Sequence, residues 1–361
     1  MVAYSSQERE KACCDVVIVG GGVAGLSAAI RLKQSLPSLS IIVLEKGVSI
    51  GAHILSGALV EPIGLDQLLP NWQQEAGSSL TTKLSYSAYY YLTQNKAWHI
   101  PKCFLPPFLK TPNNYILSLA DLCRFLAQKA ENLGVEIYPS SPARDFICNE
   151  NNAVIGILSG NEGEEFELHA KYTLIAEGAR GSLSKQLMAH FALDQNTCPQ
   201  KYALGLKEIW QIPSKLHKKG HAYHFLGWPL KQKFTDSAGG GFLYYLPENQ
   251  ITIGFIVHLD YSNPYLSPFG EFQRFKTHPA LAPLLKQGKP LAYGARALTE
   301  GGWQSVPQLS FAGGVLLGAA AGFMNVAKGK GSHNAILSAI LAAEEVAAAI
   351  KEGRAHDKMM G

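Results

Sequence analysis

The chain has 361 residues, of which 47% are hydrophobic and 17% are charged. This length allows two domains with a large core, so the fold needs no disulfide or structural metal. The net charge of +4 is too small to suggest the basic stripe of a nucleic-acid-binding protein. We therefore expect no nucleic-acid partner.

The cysteines are scattered and show neither a C-x-x-C pair nor a Cys/His ligand spacing; they are Cys13, Cys14, Cys103, Cys123, Cys148 and Cys198. This pattern predicts free thiols in a reducing compartment and no metal site within the chain. The opening MVAYSSQEREKACC contains acidic residues and no apolar segment, so it predicts neither a secretory signal nor a mitochondrial transit peptide. There is no run of eighteen apolar residues that would predict a membrane-spanning helix.

The first motif follows a β-branched run, DVVIV, at residues 15–19. Gly20, Gly22 and Gly25 form G-x-G-x-x-G between this predicted strand and a predicted helix, VAGLSAAIRLKQSL. In this setting the glycines allow a tight turn, close approach of a pyrophosphate and close packing of helix on strand. The helix N-terminus would face the phosphates with its free N–H groups.

A second predicted strand, IIVLEK at 41–46, carries Glu45 where an acid binds the ribose of an adenosine. Residues 51–111 are loop-rich and aromatic, and the βα pattern resumes only with a helix over 119–133 and then GVEIYP. Such an interrupted core favours FAD over NAD, with an ordinary glycine-rich βα turn as the alternative. The predicted cofactor residues of this unit are Val19, Gly20, Gly21, Gly22, Ala24, Gly25, Glu45 and Lys46.

The second motif, AKYTLIAEGARGSLSKQL at 170–187, predicts a strand, a turn with Gly178 and a helix capped near Ser182 or Ser184. It resembles the second FAD motif of the glutathione-reductase-like flavoproteins, in which this turn lies near the flavin. Gly178 is therefore a candidate cofactor residue. Arg180 is either a phosphate or partner contact or, as the composition of the turn favours, a solvated side chain.

The third motif predicts a strand in LSFAGGVLLG that ends at Gly318, then a loop and a helix over 332–350 with Ser332 as N-cap. In this superfamily the strand usually ends in Gly-Asp, whereas here Ala319 follows Gly318. The small residues from Ala319 to Gly322 would let the backbone close on the flavin, with ordinary buried core as the alternative. Gly318, Gly322 and Asn325 are the candidate cofactor residues.

Longer stretches resemble the electron transfer flavoprotein–ubiquinone oxidoreductase family; they include EKGVSIGAHILSGALVEP, KYALGLKEIWQIP, FLGWPL, GGGFLYYL, GFIVHLDYSNPYLSPFGEFQRFKTHP, YGARALTEGGWQSVP and GFMNVAKGKGSH. The resemblance implies an α/β fold, a glutathione-reductase-like FAD-binding Rossmann core with an inserted mixed α+β quinone-binding domain. It assigns residues 14–50, 113–190 and 291–352 to the FAD domain. Residues 51–112 and 191–290 then form the quinone and membrane-surface domain.

The same resemblance implies an FAD enzyme that passes electrons from reduced electron transfer flavoprotein to ubiquinone in the respiratory chain. The backbone of Gly239 and Gly240 would bind the quinone carbonyl, and no side chain would act as a catalyst. A hairpin or bulge is the alternative explanation for these glycines. The protein would bind as a monotopic enzyme to the cytoplasmic face of a bacterial inner membrane, or to the matrix side of the mitochondrial inner membrane.

Two apolar segments are candidates for membrane contact, residues 54–72 and 100–109. Trp72 and Trp98 would then lie at the level of the lipid headgroups. Ordinary packing inside the protein is the alternative for both segments.

Members of the family also have a C-terminal domain that holds a [4Fe–4S] cluster, and none of the cysteines here replaces its ligands. Three explanations stay open: a fragment, a cluster on another polypeptide, or a version that works without one. Alternative functions are a geranylgeranyl-reductase-like or nitrogen-fixation-associated flavoprotein, and a truncated FAD-binding chain without donor-linked turnover.

Overall fold

The computed structural model describes residues 9–54, 58–110, 113–161, 164–232 and 235–356. The strands in chain order are β1 (Glu10–Val19), β2 (Ile41–Leu44), β3 (Ala58–Val60), β4 (Thr82–Lys83), β5 (Tyr86–Leu92), β6 (Ala97–Ile100), β7 (Tyr115–Leu117), β8 (Glu136–Tyr138), β9 (Ala143–Cys148), β10 (Val154–Ser159), β11 (Phe166–Ile175), β12 (Tyr202–Gln211), β13 (His221–Gly227), β14 (Lys231–Gln232), β15 (Thr235–Asp236), β16 (Gly239–Leu246), β17 (Gln250–His258), β18 (Lys289–Thr299), β19 (Ser310–Phe311) and β20 (Gly314–Leu316). The α-helices are α1 (Val23–Ser35), α2 (Ile63–Leu68), α3 (Trp72–Glu75), α4 (Leu119–Asn132), α5 (Ser182–His190), α6 (Pro268–Lys276), α7 (Ala282–Leu285) and α8 (Ser332–Lys351).

The first sheet has eight strands, and its main path runs β19-β20-β11-β1-β2-β8. Strands β20, β11, β1, β2 and β8 pair in parallel, whereas β19 pairs antiparallel with β20, and β9 and β10 form an antiparallel extension on β11. Because parallel strands are covered on both faces, their sequences are almost continuously apolar, as in VVIV of β1. This sheet confirms the predicted Rossmann-type core.

Helices α1, α4 and α8 cover one face of this sheet, where Leu26, Leu126 and Ile336 belong to the same buried cluster. The other face is covered by the β9–β10 extension and α5, around Ile157 and Leu187. By length and composition α8 is apolar enough to cross a membrane, but it packs against α1 and α2 inside the protein. We therefore describe α8 as a core helix.

The second sheet has seven strands in the order β18-β12-β17-β16-β13-β5-β6. All its pairs are antiparallel except β13 with β5. Side chains alternate between its two faces. We call outer the face on which Phe255 and Leu243 pack with Phe272 of α6, and inner the face that carries Phe242 and Tyr244.

The inner face packs on a small antiparallel sheet of order β3-β7-β4, where Leu59 and Ile116 contact Phe242 and Tyr244. The second sheet also contacts the segment between β2 and β3. Here the Arg296 guanidinium of β18 donates from Nε to the carbonyl oxygen of His53 at 2.7 Å. The second sheet therefore faces the Rossmann core. The predicted domain boundary between residues 290 and 291 falls inside β18, which pairs with β12 in the second sheet.

Two details of the sequence predictions are wrong. Helices α5 and α8 begin at Ser182 and Ser332 with Gly181 and Gly331 as N-caps, and neither helix has a side-chain cap from a serine.

Trp72 is fully buried and donates from Nε1 to Asp66 Oδ1 at 2.8 Å, so it cannot lie among lipid headgroups. Helix α2, within the same predicted membrane segment, packs on α8.

Candidate flavin and quinone sites

The first glycine motif forms a sharp turn between β1 and α1. Gly20 has φ of +112°, and a Cβ there would lie 2.4 Å from the Ala176 carbonyl oxygen. A Cβ at Gly25 would lie 2.1 Å from the Gly20 carbonyl oxygen, so only glycine lets α1 approach β1 this closely. A Cβ at Gly22, in contrast, would meet nothing within 4 Å. The space beside Gly22 is open to a ligand.

Helix α1 begins at this opening, and no side chain of its N-cap or first turn compensates its free N–H groups or its dipole. Its N-cap, Gly22, supplies no side-chain hydrogen bond, and its first turn contains no acidic residue. The first N–H groups of the helix are therefore available to an anion, and the helix dipole favours negative charge there. Val19 and Ala24 are buried on either side of the turn, as a close strand–helix contact requires.

Glu45 comes directly after β2 and reaches the same turn. Its Oε2 accepts from the backbone N–H of Gly21 at 3.0 Å, and its Oε1 accepts from that of Gly47 at 2.7 Å. These bonds hold the carboxylate beside the glycine motif, where a ribose would lie. Lys46, the next residue, is exposed.

The second motif places Gly178 in a turn after β11, with φ of +83° and open space where a Cβ would lie. Glu177 organises this turn, since its Oε2 accepts from the N–H of Ser184 at 2.7 Å and from its hydroxyl at 2.6 Å. Although Gly181 is the N-cap residue of α5, the carboxylate of Glu177 satisfies an N–H group in the first turn of the helix, which the serine pattern did not reveal. Arg180 is exposed, and its guanidinium lies 5.4 Å from the ring centroid of Tyr202 in the second sheet.

In the third motif, β20 is followed not by a helix but by a single 3₁₀ turn, Gly318–Ala321. Gly318 and Gly322 have φ of +55° and +81°, and the Gly318 N–H donates to Ser338 Oγ of α8 at 3.1 Å. Asn325 closes the following loop by exchanging backbone hydrogen bonds with Lys330. Its Oδ1 also accepts from the N–H of Lys328 at 3.1 Å.

The three motifs meet at one edge of the parallel sheet. Backbone N–H groups that continue its ladders link each turn to its neighbour: Gly20 donates to Leu44, Ala176 to Val19, and Leu317 to Ile175. A Cβ at Gly318 would touch Cβ of Ala24 at 3.0 Å, so the third motif lies against α1. Open space at Gly22 and Gly178, uncapped N–H groups at α1 and the Glu45 carboxylate together fit an FAD molecule.

The candidate quinone glycines are not in a hairpin. They begin β16, a central strand of the second sheet, where Gly239 pairs with Val257, Gly240 with Ile256 and Gly241 with Phe255. A Cβ at Gly239 would lie 2.1 Å from the Ile256 carbonyl oxygen, and one at Gly240 would lie 2.5 Å from that of Phe225. Gly240 belongs to the inner face, since it alternates with Phe242 and Tyr244.

An exposed apolar row crosses the inner face and ends at Gly240. Trp98 of β6 pairs with Tyr91 of β5, and Tyr91 pairs with Leu226 of β13. A Cβ at Gly240 would lie 3.3 Å from Cδ2 of Leu226. Trp98, Tyr91 and Leu226 are 58%, 44% and 45% exposed, although all three belong to a sheet face. Of this row, the sequence pattern indicated only Trp98 and Gly240.

Two half-buried titratable groups lie on the inner face two residues further along the strands. Burial lowers the pKa of His224 to about 3, with a smaller contribution from Lys330. Its Nε2 lies 3.1 Å from the Tyr244 hydroxyl, and its ring stacks on Tyr89. Burial also lowers the pKa of Lys207 to about 8, and the Lys207 ammonium lies 5.5 Å from the ring centroid of Phe242. This part of the inner face is therefore a desolvated environment.

Within the ranges that the structure describes, no three His, Cys, Asp or Glu side chains are grouped as metal ligands. The [4Fe–4S] cluster of the resembling family thus has no site among these residues.

Three protein-family models match parts of the chain. A family model described as "ETF-QO, ubiquinone-binding" matches residues 202–298, one described as "FAD binding domain" matches 92–226, and one described as "Thi4 family" matches 1–64. The electron transfer flavoprotein-ubiquinone oxidoreductase of Pseudomonas aeruginosa is 47% identical over 96% of this chain. The mitochondrial protein of that name from Oryza sativa is 44% identical over 97% of it.

The chain is similar to electron transfer flavoprotein–ubiquinone oxidoreductases over nearly all of its own length. It spans 66% of the length of the Pseudomonas protein and 62% of that of the rice protein. The predicted family resemblance and the FAD cofactor are confirmed.

Among solved structures, a geranylgeranyl bacteriochlorophyll reductase-like protein from Thermoplasma acidophilum superposes with a TM-score of 0.72. It is 20% identical, and the match covers 95% of this chain and 80% of that protein. At this identity the likeness concerns the fold. It confirms the predicted fold class of an FAD-binding Rossmann-type core with a second sheet.

Proposed function

We propose that this chain is an FAD-dependent oxidoreductase that passes electrons from reduced electron transfer flavoprotein to ubiquinone in a respiratory chain. Its relatives carry this activity in their names. The observation that carries the proposal for this chain is the apolar row from Trp98 through Tyr91 and Leu226 to Gly240. An isoprenoid tail needs such an apolar path, and its head group needs a place where the backbone is bare.

The residues at the parallel-sheet edge would hold FAD. Gly20, Gly22 and the first turn of α1 would bind the pyrophosphate, and Glu45 would accept hydrogen bonds from the ribose. Val19, Gly21, Ala24, Gly25 and Lys46 would complete this end of the site, while Gly178, Gly318, Gly322 and Asn325 would line the flavin end. When bound, FAD supplies the redox chemistry that protein side chains lack.

The second sheet would hold the quinone. Gly239 and Gly240 present backbone groups at the end of the apolar row, and a side chain at either position would collide with a neighbouring strand. The desolvated surroundings of Phe242 and His224 would exclude water from the ring. No nucleophile is needed, because the protein's part is to orient two redox groups in a dry site.

The exposed end of the row would dock on a membrane surface. Phe104 and Phe108, in 3₁₀ turns that follow β6 in the chain, are 77% and 44% exposed. The Lys96 ammonium lies 5.8 Å from the Trp98 ring centroid. Aromatic side chains next to lysines are typical of the interface between lipid tails and headgroups. The membrane would be the bacterial inner membrane on its cytoplasmic face, or the mitochondrial inner membrane on its matrix side.

A half-reaction tests the quinone step without the donor. FAD in the purified chain is reduced anaerobically by light, and a ubiquinone with one isoprene unit is then mixed in while flavin absorbance is followed. We expect reoxidation much faster than that of free FADH₂, and slower reaction in Leu226→Asp, which places a charge in the apolar row. A colourless folded protein, or reoxidation no faster than free flavin, would refute the proposal.

A second measurement concerns the donor. Turnover of ubiquinone is recorded with reduced electron transfer flavoprotein in place of light. If quinone reduction occurs after photoreduction but not with this donor, the chain is an FAD-binding module that needs a further redox centre to accept electrons. Turnover with both reductants supports the full activity.

A further inference from the structure

We propose that Lys330 is the cation that stabilises the negative charge of reduced flavin and thereby raises the reduction potential of bound FAD. The inference rests on the proposed function, which places the flavin end of FAD beside Gly318, Gly322 and Asn325. Two electrons and one proton convert oxidised FAD to a form that carries an additional negative charge. A buried cation near the ring favours that form, because its charge is poorly screened there.

Lys330 belongs to the loop of the third motif. The Asn325 N–H donates to the Lys330 carbonyl oxygen at 2.9 Å, and the Lys330 N–H donates to the Asn325 carbonyl oxygen at 3.1 Å. Lys330 is only 7% exposed, although lysines are almost never fully buried in folded proteins. Its ammonium donates to the Lys328 carbonyl oxygen at 3.3 Å. The loop therefore holds this cation inside the protein rather than in solvent.

The charges around Lys330 do not cancel. Glu61, which directly follows β3, accepts through Oε2 from the Lys328 ammonium at 2.9 Å. Among the described residues, no carboxylate forms an ion pair with Lys330. Burial lowers the pKa of Lys330, Glu61 opposes this shift and Lys328 adds to it. Because Glu61 and Lys328 neutralise each other, Lys330 gives the cluster a net positive charge.

Helix α8 adds a partial positive charge at the same place. It begins at Ser332, two residues after Lys330, its N-cap Gly331 makes no side-chain hydrogen bond, and its first turn contains no acidic residue. His333, in that first turn, is 5% exposed, and its Nδ1 has no hydrogen-bond partner within the described residues. An unpartnered buried nitrogen in the first turn of an uncapped helix points to a polar ligand at this position.

Lys330 also lies near the inner face of the second sheet. Its charge contributes to the lowered pKa of His224, a residue of β13. His224 comes two residues before Leu226 of the apolar row. The cation is therefore at the junction between the loop that would line the flavin and the sheet that would hold the quinone. It can act on the flavin without direct contact, since Coulomb interactions are long-ranged in a poorly solvated interior.

The first test measures the reduction potential of bound FAD. The FAD-loaded protein is reduced anaerobically together with a reference dye, and the absorbances of flavin and dye are compared at equilibrium. We expect Lys330→Met to weaken binding of reduced FAD relative to oxidised FAD about tenfold, which lowers the potential of a two-electron couple by about 30 mV. Lys330→Arg, which retains the charge, should keep most of the wild-type value. Lys351→Met, at the exposed far end of α8, is the matched control and should leave the potential unchanged.

Glu61→Gln tests the sign of the effect. It removes the negative charge that balances Lys328, so the potential should rise rather than fall. Opposite shifts in Glu61→Gln and Lys330→Met support an effect of charge rather than of local disruption, and shifts in the same direction contradict it. If Lys330→Met does not retain FAD, Glu61→Gln decides, and an unchanged or lower potential in that variant overturns the inference.

A second test needs no electron donor. Sulfite adds to oxidised flavin by forming an S–N bond with its own electron pair, and negative charge passes to the ring as it does on reduction. We expect the sulfite concentration that bleaches half of the flavin to rise about tenfold in Lys330→Met and to fall in Glu61→Gln. Circular dichroism and flavin content verify that each variant is folded and loaded.

The outcomes separate the two proposals. If the wild type reduces quinone while Lys330→Met has the wild-type potential and sulfite affinity, the inference is overturned and the proposed function stands. A wild type that binds FAD but does not react with quinone refutes the proposed function. The role of Lys330 is still decided in that case, because its tests require only the bound flavin.

Discussion

The glycine clusters at residues 20–25 and 239–241 serve their surroundings differently. In the first, a Cβ on Gly22 would meet nothing, although Gly20 and Gly25 are needed for the path of the backbone. In the second, each of Gly239, Gly240 and Gly241 would place a Cβ within 2.5 Å of another protein atom. One cluster contains a true opening, and the other is closed against its own sheet.

This difference shows that a run of glycines indicates close approach of another group to the backbone, but it does not identify that group. At Gly22 a Cβ would meet no protein atom within 4 Å, and the uncapped N–H groups of α1 beside that space favour an anionic ligand there. At Gly241 the partner is the ring of Phe275, whose Cζ would lie 2.2 Å from a Cβ. The quinone proposal therefore depends on the apolar row that leads to Gly240 rather than on the glycines themselves.

The largest expected effect is that of Gly20→Val. Its φ of +112° is strained for a β-branched residue, and its Cβ would collide with the backbone of Ala176. We expect a loss of about 3–5 kcal/mol in the free energy of unfolding, measured by urea denaturation. Gly77→Val is the control, since a Cβ there meets nothing and no positive φ is present. Equal stability of the two variants would contradict the strained turn.

Gly22→Val tests the opening itself. The N-cap has extended φ and ψ, and the side chain would enter empty space, so the apoprotein should keep its stability within about 0.5 kcal/mol. Affinity for FAD, measured by fluorescence quenching, should fall about 100-fold or more, equivalent to about 2.7 kcal/mol. A variant that retains wild-type affinity would mean that the space beside Gly22 does not hold the cofactor.

Gly241→Ala tests the closed cluster on its outer face. Overpacking against Phe275 should cost about 1–3 kcal/mol in the free energy of unfolding while leaving FAD affinity unchanged. Phe275→Leu in the same background should recover part of that loss, because it removes the ring that the new methyl group meets. Thermal and urea unfolding of the two variants provide the measurement. No recovery in the double variant would contradict the proposed contact.

The smallest effect concerns pH. Because the folded-state pKa of His258 is raised, its pairing with Glu300 stabilises the fold fully below the unfolded pKa of about 6.5. That contribution is lost as pH rises through the folded pKa. The difference in unfolding free energy between wild type and His258→Gln should therefore shrink above pH 6.5, in urea titrations at several pH values. A difference that grows with pH would show the opposite sign of the shift.

Much of the Rossmann core could be predicted because its signals are local. Short-range backbone geometry relates the β-branched run, the three glycines and the acid at the end of the next strand. Each of these features can therefore be recognised from the spacing of the others. Glu45 indeed comes directly after β2, although β1 begins at Glu10, earlier than the apolar run at 15–19 indicated. The exposed first half of β1 forms because it pairs with β11, a partner far along the chain.

Features that depend on distant partners could not be predicted. Glu177 takes the place of a capping serine at the first turn of α5, since a carboxylate already near the helix N-terminus is the stronger acceptor. Trp72 is buried because Asp66 and Tyr115 provide a polar and an aromatic partner. The apolar row and the His258–Glu300 pair each join separate strands or loops of the second sheet. Their residues are adjacent only once the strands align.

The order of strands in the second sheet also has a consequence for biosynthesis. Its edge β6 and neighbour β5 precede β12 and β13 by a long stretch that builds part of the Rossmann core, and β18 follows later still. The loop of the third motif and α8 come after all of them. Such non-local pairing makes folding slow. The proposed flavin site cannot be complete on a nascent chain until α8 has been made, because Gly318 bonds to Ser338 of that helix. Incorporation of FAD would therefore be a late event that follows synthesis of nearly all the described residues.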